Sequence, residues 1–477
     1  MLRFMIIEWL HFISNVLTFH QSLKYLVNEA SFLDYSYLKD GVAMIIPAGA
    51  TAGEPLSHVK YTHLEVILCY PIAVMAGFTY GYSQTFVGGL LNMPNFVVML
   101  LGKKGYRKAA KAVVSNFCSY VNAYMLMCSA SIPFGTTIGL ILGRCLRINW
   151  GPKGRMRIGA AWVLAGSLSA LAYPHGLSLP LFFLVIGLGI GIIIEAVPVL
   201  YKQISREDVH PRIAKVFNLA YYLGIVSALL VNYLISRYWP NGWRVTFSSV
   251  VFPAFMLILA SLFLNRAEVN DPEESCMVLL RQHKGVFLHK TGFLLLAQFM
   301  GSSQLVFYGP MILESLNFGS YQQFLTPLIG SSIGSLVVVV VMLFVVPRHL
   351  RRPTFLISCV LICISQFCMW VLFHFWGSRE HHFKSSIVST IGVAVLIVIY
   401  GSYFVIDGPY GWTRKEYPKA VQGVGNTLET AVMRTVIGLM NLSAPFFICA
   451  LKKWTFLYLS LLGFGYCLIA CWFVHDH

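Results

Sequence analysis

Long apolar runs separated by short polar connections fill the chain from about residue 64 onward. Each is close to the 20 or so residues that a helix needs to cross a hydrocarbon core of about 30 Å. The runs lie near 64–83, 123–143, 158–175, 179–201, 214–236, 245–264, 291–312, 324–346, 354–376, 387–408, 426–448 and 455–474. The pattern predicts an all-α membrane protein of about twelve transmembrane helices.

The polar connections orient these helices. Arg144, Arg147, Lys153, Arg155 and Arg157 follow the second run, and Lys202, Arg206, Arg212 and Lys215 follow the fourth. Arg348, Arg351 and Arg352 follow the eighth, and Arg414, Lys415 and Lys419 the tenth, whereas the connections after the third and seventh hold no Lys or Arg. Basic loops stay on the cytoplasmic side, so both termini are expected in the cytoplasm. The segment after the first run, with Lys103, Lys104, Arg107, Lys108 and Lys111, runs against this alternation. Long connections translocate with less regard to charge.

A polar interruption at 265–290, carrying Asp271, Pro272, Glu273, Glu274 and Lys284, divides the runs into two sets of six. The expected organisation is an N-terminal extension at 1–63 and a six-helix bundle at 64–264 with an extracellular lid loop at 84–122. A cytoplasmic linker at 265–290 and a second six-helix bundle at 291–477 follow. Two such bundles with a site between them are a transporter layout. Met1 to His20 is apolar but holds Glu8 and His11 and no small-residue cleavage site. It reads either as an interfacial helix or as sequence foreign to the transporter body.

Composition sharpens this. Of 477 residues, 57% are hydrophobic and 11% charged. Soluble domains carry about a quarter charged, so a soluble fold is excluded. The net charge of +16 belongs to cytoplasmic loops rather than to nucleic-acid binding, because the bases lie between apolar runs without an aromatic-interleaved stripe. The 11 cysteines form no CxxC pair, and Cys359, Cys363 and Cys368 sit inside an apolar run as small hydrophobic side chains.

Several motifs carry physical consequences. Gly187 and Gly191, four apart, clear one helix face so that a neighbouring backbone can approach. Gly408 and Pro409 interrupt an apolar run, freeing backbone groups at the depth where substrates bind. Trp412 admits two readings, a stacking surface for the apolar face of a pyranose or an interfacial anchor, and Gln298 carries donor and acceptor together for sugar hydroxyls.

Four ordered segments resemble the plant sugar transport protein family, the proton-coupled monosaccharide symporters of the major facilitator superfamily. They are Gly81-Tyr82-Ser83-Gln84-Thr85-Phe86 with Met93-Pro94-Asn95-Phe96, Glu195-Ala196-Val197-Pro198 after Gly187-Leu188-Gly189, Gln298-Phe299-Met300-Gly301 with Phe307-Tyr308-Gly309-Pro310, and Gly408-Pro409-Tyr410-Gly411-Trp412. The resemblance implies a major facilitator fold and hexose transport by alternating access, in symport, at the plasma membrane. It implies no cofactor, no metal and a monomeric transport unit in the lipid bilayer. Gln298, Ser303, Tyr308, Trp412 and Glu195 are its implied substrate residues.

The chain departs from the family at its coupling device. The family's titrating Asp in the first helix and the Arg of the fourth fall on Ser83 and Phe183, so its proton mechanism cannot run through those two residues. The sugar shell is thinner too: family amides fall on Ala297, Ser303, Ala220 and Met433, and another on Gly334 or Ser335. Conversely, Glu195 replaces a glutamine and Arg434 stands about mid-membrane. Either they pair, each offsetting the burial cost of the other, or Glu195 is neutralised on backbone while Arg434 snorkels. The family's extracellular lid implies a Cys118–Cys449 disulfide, the alternative being two thiols.

Gly330-Ser331-Ser332-Ile333-Gly334 matches GxSxG but lies within an apolar run, so small-residue packing is expected rather than a nucleophile. His374, His381 and His382 read as a solvated loop rather than a metal site, and the Asn441-Leu442-Ser443 sequon lies inside a span. The expected function is monosaccharide transport. A non-transporting sugar sensor or degenerate transporter is the rival, with an intramembrane enzyme behind it.

Overall fold

The computed structural model describes residues 63–91, 93, 95–102, 123–147, 150–173, 178–205, 209–239, 242–264, 281–301, 308, 351–376, 417, 422–451 and 454–475, with scattered positions at 329–341 and 395–399. Among these residues ten helices stand in order: α1 His63–Leu90, α2 Ala123–Leu146, α3 Pro152–Ala172, α4 Ser178–Ile204, α5 His210–Tyr238, α6 Trp243–Leu262, α7 Lys284–Gln298, α8 Arg351–Trp376, α9 Gln422–Leu451 and α10 Trp454–His475. Eight of them are long and apolar enough to cross a membrane; α3 and α7 are the exceptions. The first carries Lys153, Arg155 and Arg157 in its opening turns, and the second is only 15 residues long.

The first six helices share one core. α1 packs on α5 and α6, α2 on α4, and α3 on α4 and α6. At the crossing of α2 and α4 the backbones approach closely. A methyl group added at Gly187 would run into the Ile132 carbonyl oxygen, and one at Gly191 into that of Thr136, so the cleared face inferred from the sequence is in use. In the second half α8 packs on α10 and α7 on α9, while α9 also lies along α2 and so joins the halves.

Three elements depart from the sequence expectation. The first run continues as helix to Leu90, and 95–102 is helical, so the lid loop expected at 84–122 begins later; residues 103–122, Cys118 included, lie outside the described residues. The third helix starts at Pro152 rather than near 158, because proline at the first helical position loses no hydrogen bond and Gly151 supplies an extended entry. Three residues expected in a basic loop thereby become helical. Lys153 donates from Nζ to the Leu264 carbonyl, and Arg157 donates to the Ser261 hydroxyl at 2.7 Å and carbonyl at 3.0 Å, fastening α3 to the end of α6. The seventh run is broken: α7 ends at Gln298, and Gly301 turns left-handed with φ of 87°. Glycine takes that conformation at no steric cost.

The GxSxG residues Gly330, Ser332, Ile333 and Gly334 are helical. His374, expected in a solvated loop, lies in the last turn of α8 with its ring 5.3 Å from that of Trp370 and 6.0 Å from that of Trp454. Residues 1–60 lie outside the described residues.

Candidate functional site

The positions where the resemblance implies a proton-coupling pair are filled by packing. Phe183 of α4 is fully buried, 5.8 Å edge-on from Phe86 of α1 and 5.9 Å from Phe247 of α6, with which it stacks. Trp243 and Tyr82 extend this aromatic block. Ser83 is buried with its hydroxyl oxygen lacking a hydrogen-bond partner. An aromatic cluster and a hydroxyl hold no group that titrates near neutral pH.

The expected Glu195–Arg434 pair does not form. Glu195 pairs instead with Arg155, fully buried in α3, and lies 3.8 Å from Arg144 at the end of α2. Arg155 also donates to the Gly143 carbonyl at 3.1 Å. The reason is the early start of α3, which carries Arg155 into the helix against α4 where Glu195 points. The pair is enclosed by α2, α3 and α4 inside the first half, where it holds those helices together. This pairing escaped the sequence reading; the signal that could have found it was Pro152, a helix start three residues before Arg155.

Arg434 stands elsewhere. From α9 its Nη1 donates to Oε1 of Gln84 on α1 at 3.3 Å, and its guanidinium lies 4.7 Å over the ring of Tyr80. The Tyr80 ring in turn meets that of Tyr221 on α5, with centroids 4.6 Å apart. Gln84, between Ser83 and Thr85 in the motif that carries the resemblance, was not singled out as a site residue.

Two further sets of bonds join α2 to α9. Thr137 Oγ1 lies 3.3 Å from the Ala431 carbonyl and 3.2 Å from Thr435 Oγ1. Nearer the start of α2, the Tyr308 hydroxyl donates to the Asn441 carbonyl at 2.7 Å and lies 3.3 Å from the Ser129 hydroxyl, while Asn441 Nδ2 donates to the Ser129 carbonyl at 3.2 Å. Tyr308, expected at the substrate, is bonded into a seal between the halves. Thr and Asn side chains make such contacts because helices in lipid associate through close packing and interhelical hydrogen bonds.

Gln298 is buried as the last residue of α7, immediately before the break at Gly301. The Met300 carbonyl, released where the helix stops, accepts from Gln366 Nε2 of α8 at 2.8 Å. Interrupted backbone at membrane depth needs such a partner, and interrupted helices are where transporters of this architecture place substrate. Ser303, Trp412 and the Gly408–Pro409 interruption lie outside the described residues. The Cys118–Cys449 bridge is not supported: no disulfide is present among the described residues, and Cys118 lies outside them. Elsewhere on α9, Lys290 Nζ lies 3.9 Å from Glu429 and 4.5 Å over the Tyr417 ring, an anchor between α7 and α9.

The described helices and their contacts, with the likeness to solved structures given below, define an all-α membrane protein of the major facilitator fold, with polar side chains where α2 meets α9. The chain belongs to the family described as "Sugar (and other) transporter", whose model matches residues 69–286 and 267–476. It is a transporter and not an enzyme.

Named relatives agree with that membership. Sugar transport protein 3 of Arabidopsis thaliana is 22% identical over 448 residues, covering 84% of this chain and 86% of its own length. Sugar transport protein 6 of the same plant is 24% identical over 409 residues, covering 76% and 78%. The H(+)/hexose cotransporter 1 of Parachlorella kessleri is 25% identical over 224 residues, 47% of this chain and 41% of its own. Among solved structures, a D-xylose-proton symporter superposes with a TM-score of 0.68 at 16% identity, over 86% of this chain and 97% of that one. A mutant of the nucleoside transporter NupG reaches 0.58 at 13% identity, over 86% of this chain and 99% of that one. At such identities the structural likeness bears on fold alone.

Proposed function

We propose that this chain moves a monosaccharide of the hexose class across a membrane by alternating access, downhill and without proton coupling through residues 83 and 183. The observation that carries the uncoupled part is the aromatic block of Phe86, Phe183 and Phe247, which occupies the place of a titrating pair. Family membership and the buried Gln298 beside an interrupted helix support the substrate class. Among the described residues, the seals between α2 and α9 join the halves by few hydrogen bonds. Each is worth about 0.5–1.5 kcal/mol net, which a rocking motion can exchange for water.

The base-rich ends of α2 and α4, with Arg144 and Lys202, support a topology with both termini in the cytoplasm. The plasma membrane and a monomeric transport unit complete the reading. Saturable uptake of labelled hexose into transporter-deficient cells or proteoliposomes tests it. Surface-expressed protein that binds hexose yet moves none would favour a sensor instead.

A further inference from the structure

Among the described residues, the contacts that fix Arg434 are to neutral groups. One is the amide oxygen of Gln84 and the other is the face of Tyr80. Among the described residues the ion-paired carboxylates are elsewhere, Glu195 with Arg155 and Arg144, and Glu429 with Lys290. Nε of Arg434 and Nε2 of Gln84 are both buried and lack an acceptor. A guanidinium inside a membrane helix is costly without a counter-charge, and ionisable residues so placed mark substrate pathways.

The unmet groups share one chemical character. Both are donors, one carries a full positive charge, and they come from opposite halves of the molecule, α9 and α1. A neutral sugar hydroxyl offers donor and acceptor together. A carboxylate offers only acceptors together with the missing negative charge, and charge-assisted bonds to it are about twice as strong as neutral ones. A dianionic phosphate ester would call for a second cation, and the described partners of Arg434 are both neutral.

We infer that Arg434 and Gln84 form a carboxylate-recognition site, and that the preferred cargo is a monoanionic sugar acid of the hexuronate class. This rests on the monosaccharide-transport reading and narrows it. Because the donors sit on α1 and α9, a carboxylate bridging them would also draw the two halves together around the cargo. The Tyr80 ring, backed by the tilted ring of Tyr221, lies beneath the guanidinium and offers it a π face in place of a counter-charge.

Proteoliposomes holding the full chain, with the membrane potential clamped by potassium and valinomycin, separate the possibilities. Labelled D-glucuronate is expected to enter saturably and to compete with labelled D-glucose at about tenfold lower concentration than unlabelled D-glucose does. Acetate, carrying the carboxylate without the sugar, is expected not to compete. Arg434→Gln is expected to lower the ratio of glucuronate to glucose uptake about tenfold or more, with Arg434→Lys recovering part of it. Should Arg434→Gln fail to fold, the wild-type competition decides by itself. Glucose uptake that excess glucuronate leaves untouched would overturn the carboxylate site and spare the monosaccharide reading. Equal competition by acetate would overturn the sugar-acid assignment. Transport of neither sugar by folded protein would overturn the monosaccharide reading along with it.

Discussion

A buried ion pair inside a membrane protein is stable only while both charges are present. Arg155 and Glu195 are enclosed together, so removing Arg155 leaves the buried Glu195 with only Arg144, 3.8 Å away, as a counter-charge. Arg155→Met alone should cost about 3–5 kcal/mol, and adding Glu195→Leu should recover most of that. Thermal unfolding of detergent-purified variants checks it, and a double variant no more stable than the single would contradict the pairing. Gln298 makes a prediction of another kind: if its amide bonds the sugar, Gln298→Ala should weaken hexose binding about tenfold, the equivalent of one or two neutral hydrogen bonds, in protein that still folds. Binding that stays within about twofold would place the ligand elsewhere. Residue chemistry made the loss at Ser83 and Phe183 legible in the sequence, because a hydroxyl and a phenyl ring cannot titrate wherever they sit. The partner of Glu195 was not legible. Arg155 belongs by composition to a basic loop, and only the helix start at Pro152 turns it inward.

At the level of elements, glycine spacing carried information that survived folding. Gly187 and Gly191 fall one turn apart, and both meet backbone carbonyls of α2. Gly187→Ala should therefore force α2 and α4 apart and cost about 1–3 kcal/mol. At Gly285, near the start of α7, an added methyl group meets nothing within 4 Å. Gly285→Ala should stay within about 0.5 kcal/mol of the parent. Melting temperatures of the two variants compare them directly, and equal shifts would contradict the close crossing. The extents of the apolar runs were legible for the same reason that they cross lipid: hydropathy and helix length are set by one solvent. The break after Gln298 was hidden, since a single glycine in an apolar run is compatible with continuous helix. The carbonyl it releases at Met300 is met by Gln366, which is distant in sequence.

For the whole molecule, the account turns on what drives the cargo. The resemblance that identifies the fold comes from proton-coupled relatives, while the aromatic block around Phe183 removes the charges such coupling uses. Fold and coupling separate here because the fold depends on many apolar positions that tolerate substitution, and coupling on two side chains that do not. The sequence could show that the coupling pair was missing, but the three-dimensional packing was needed to show where Glu195 and Glu429, among the described residues, stand. Glu195 is held by Arg155 and Glu429 by Lys290. Uptake of labelled monosaccharide by proteoliposomes under an imposed pH gradient, with the membrane potential clamped, tests this most directly. The account predicts that internal and external concentrations become equal and that a protonophore changes neither the rate nor the end point. Accumulation above the external concentration that collapses when the protonophore is added would contradict it.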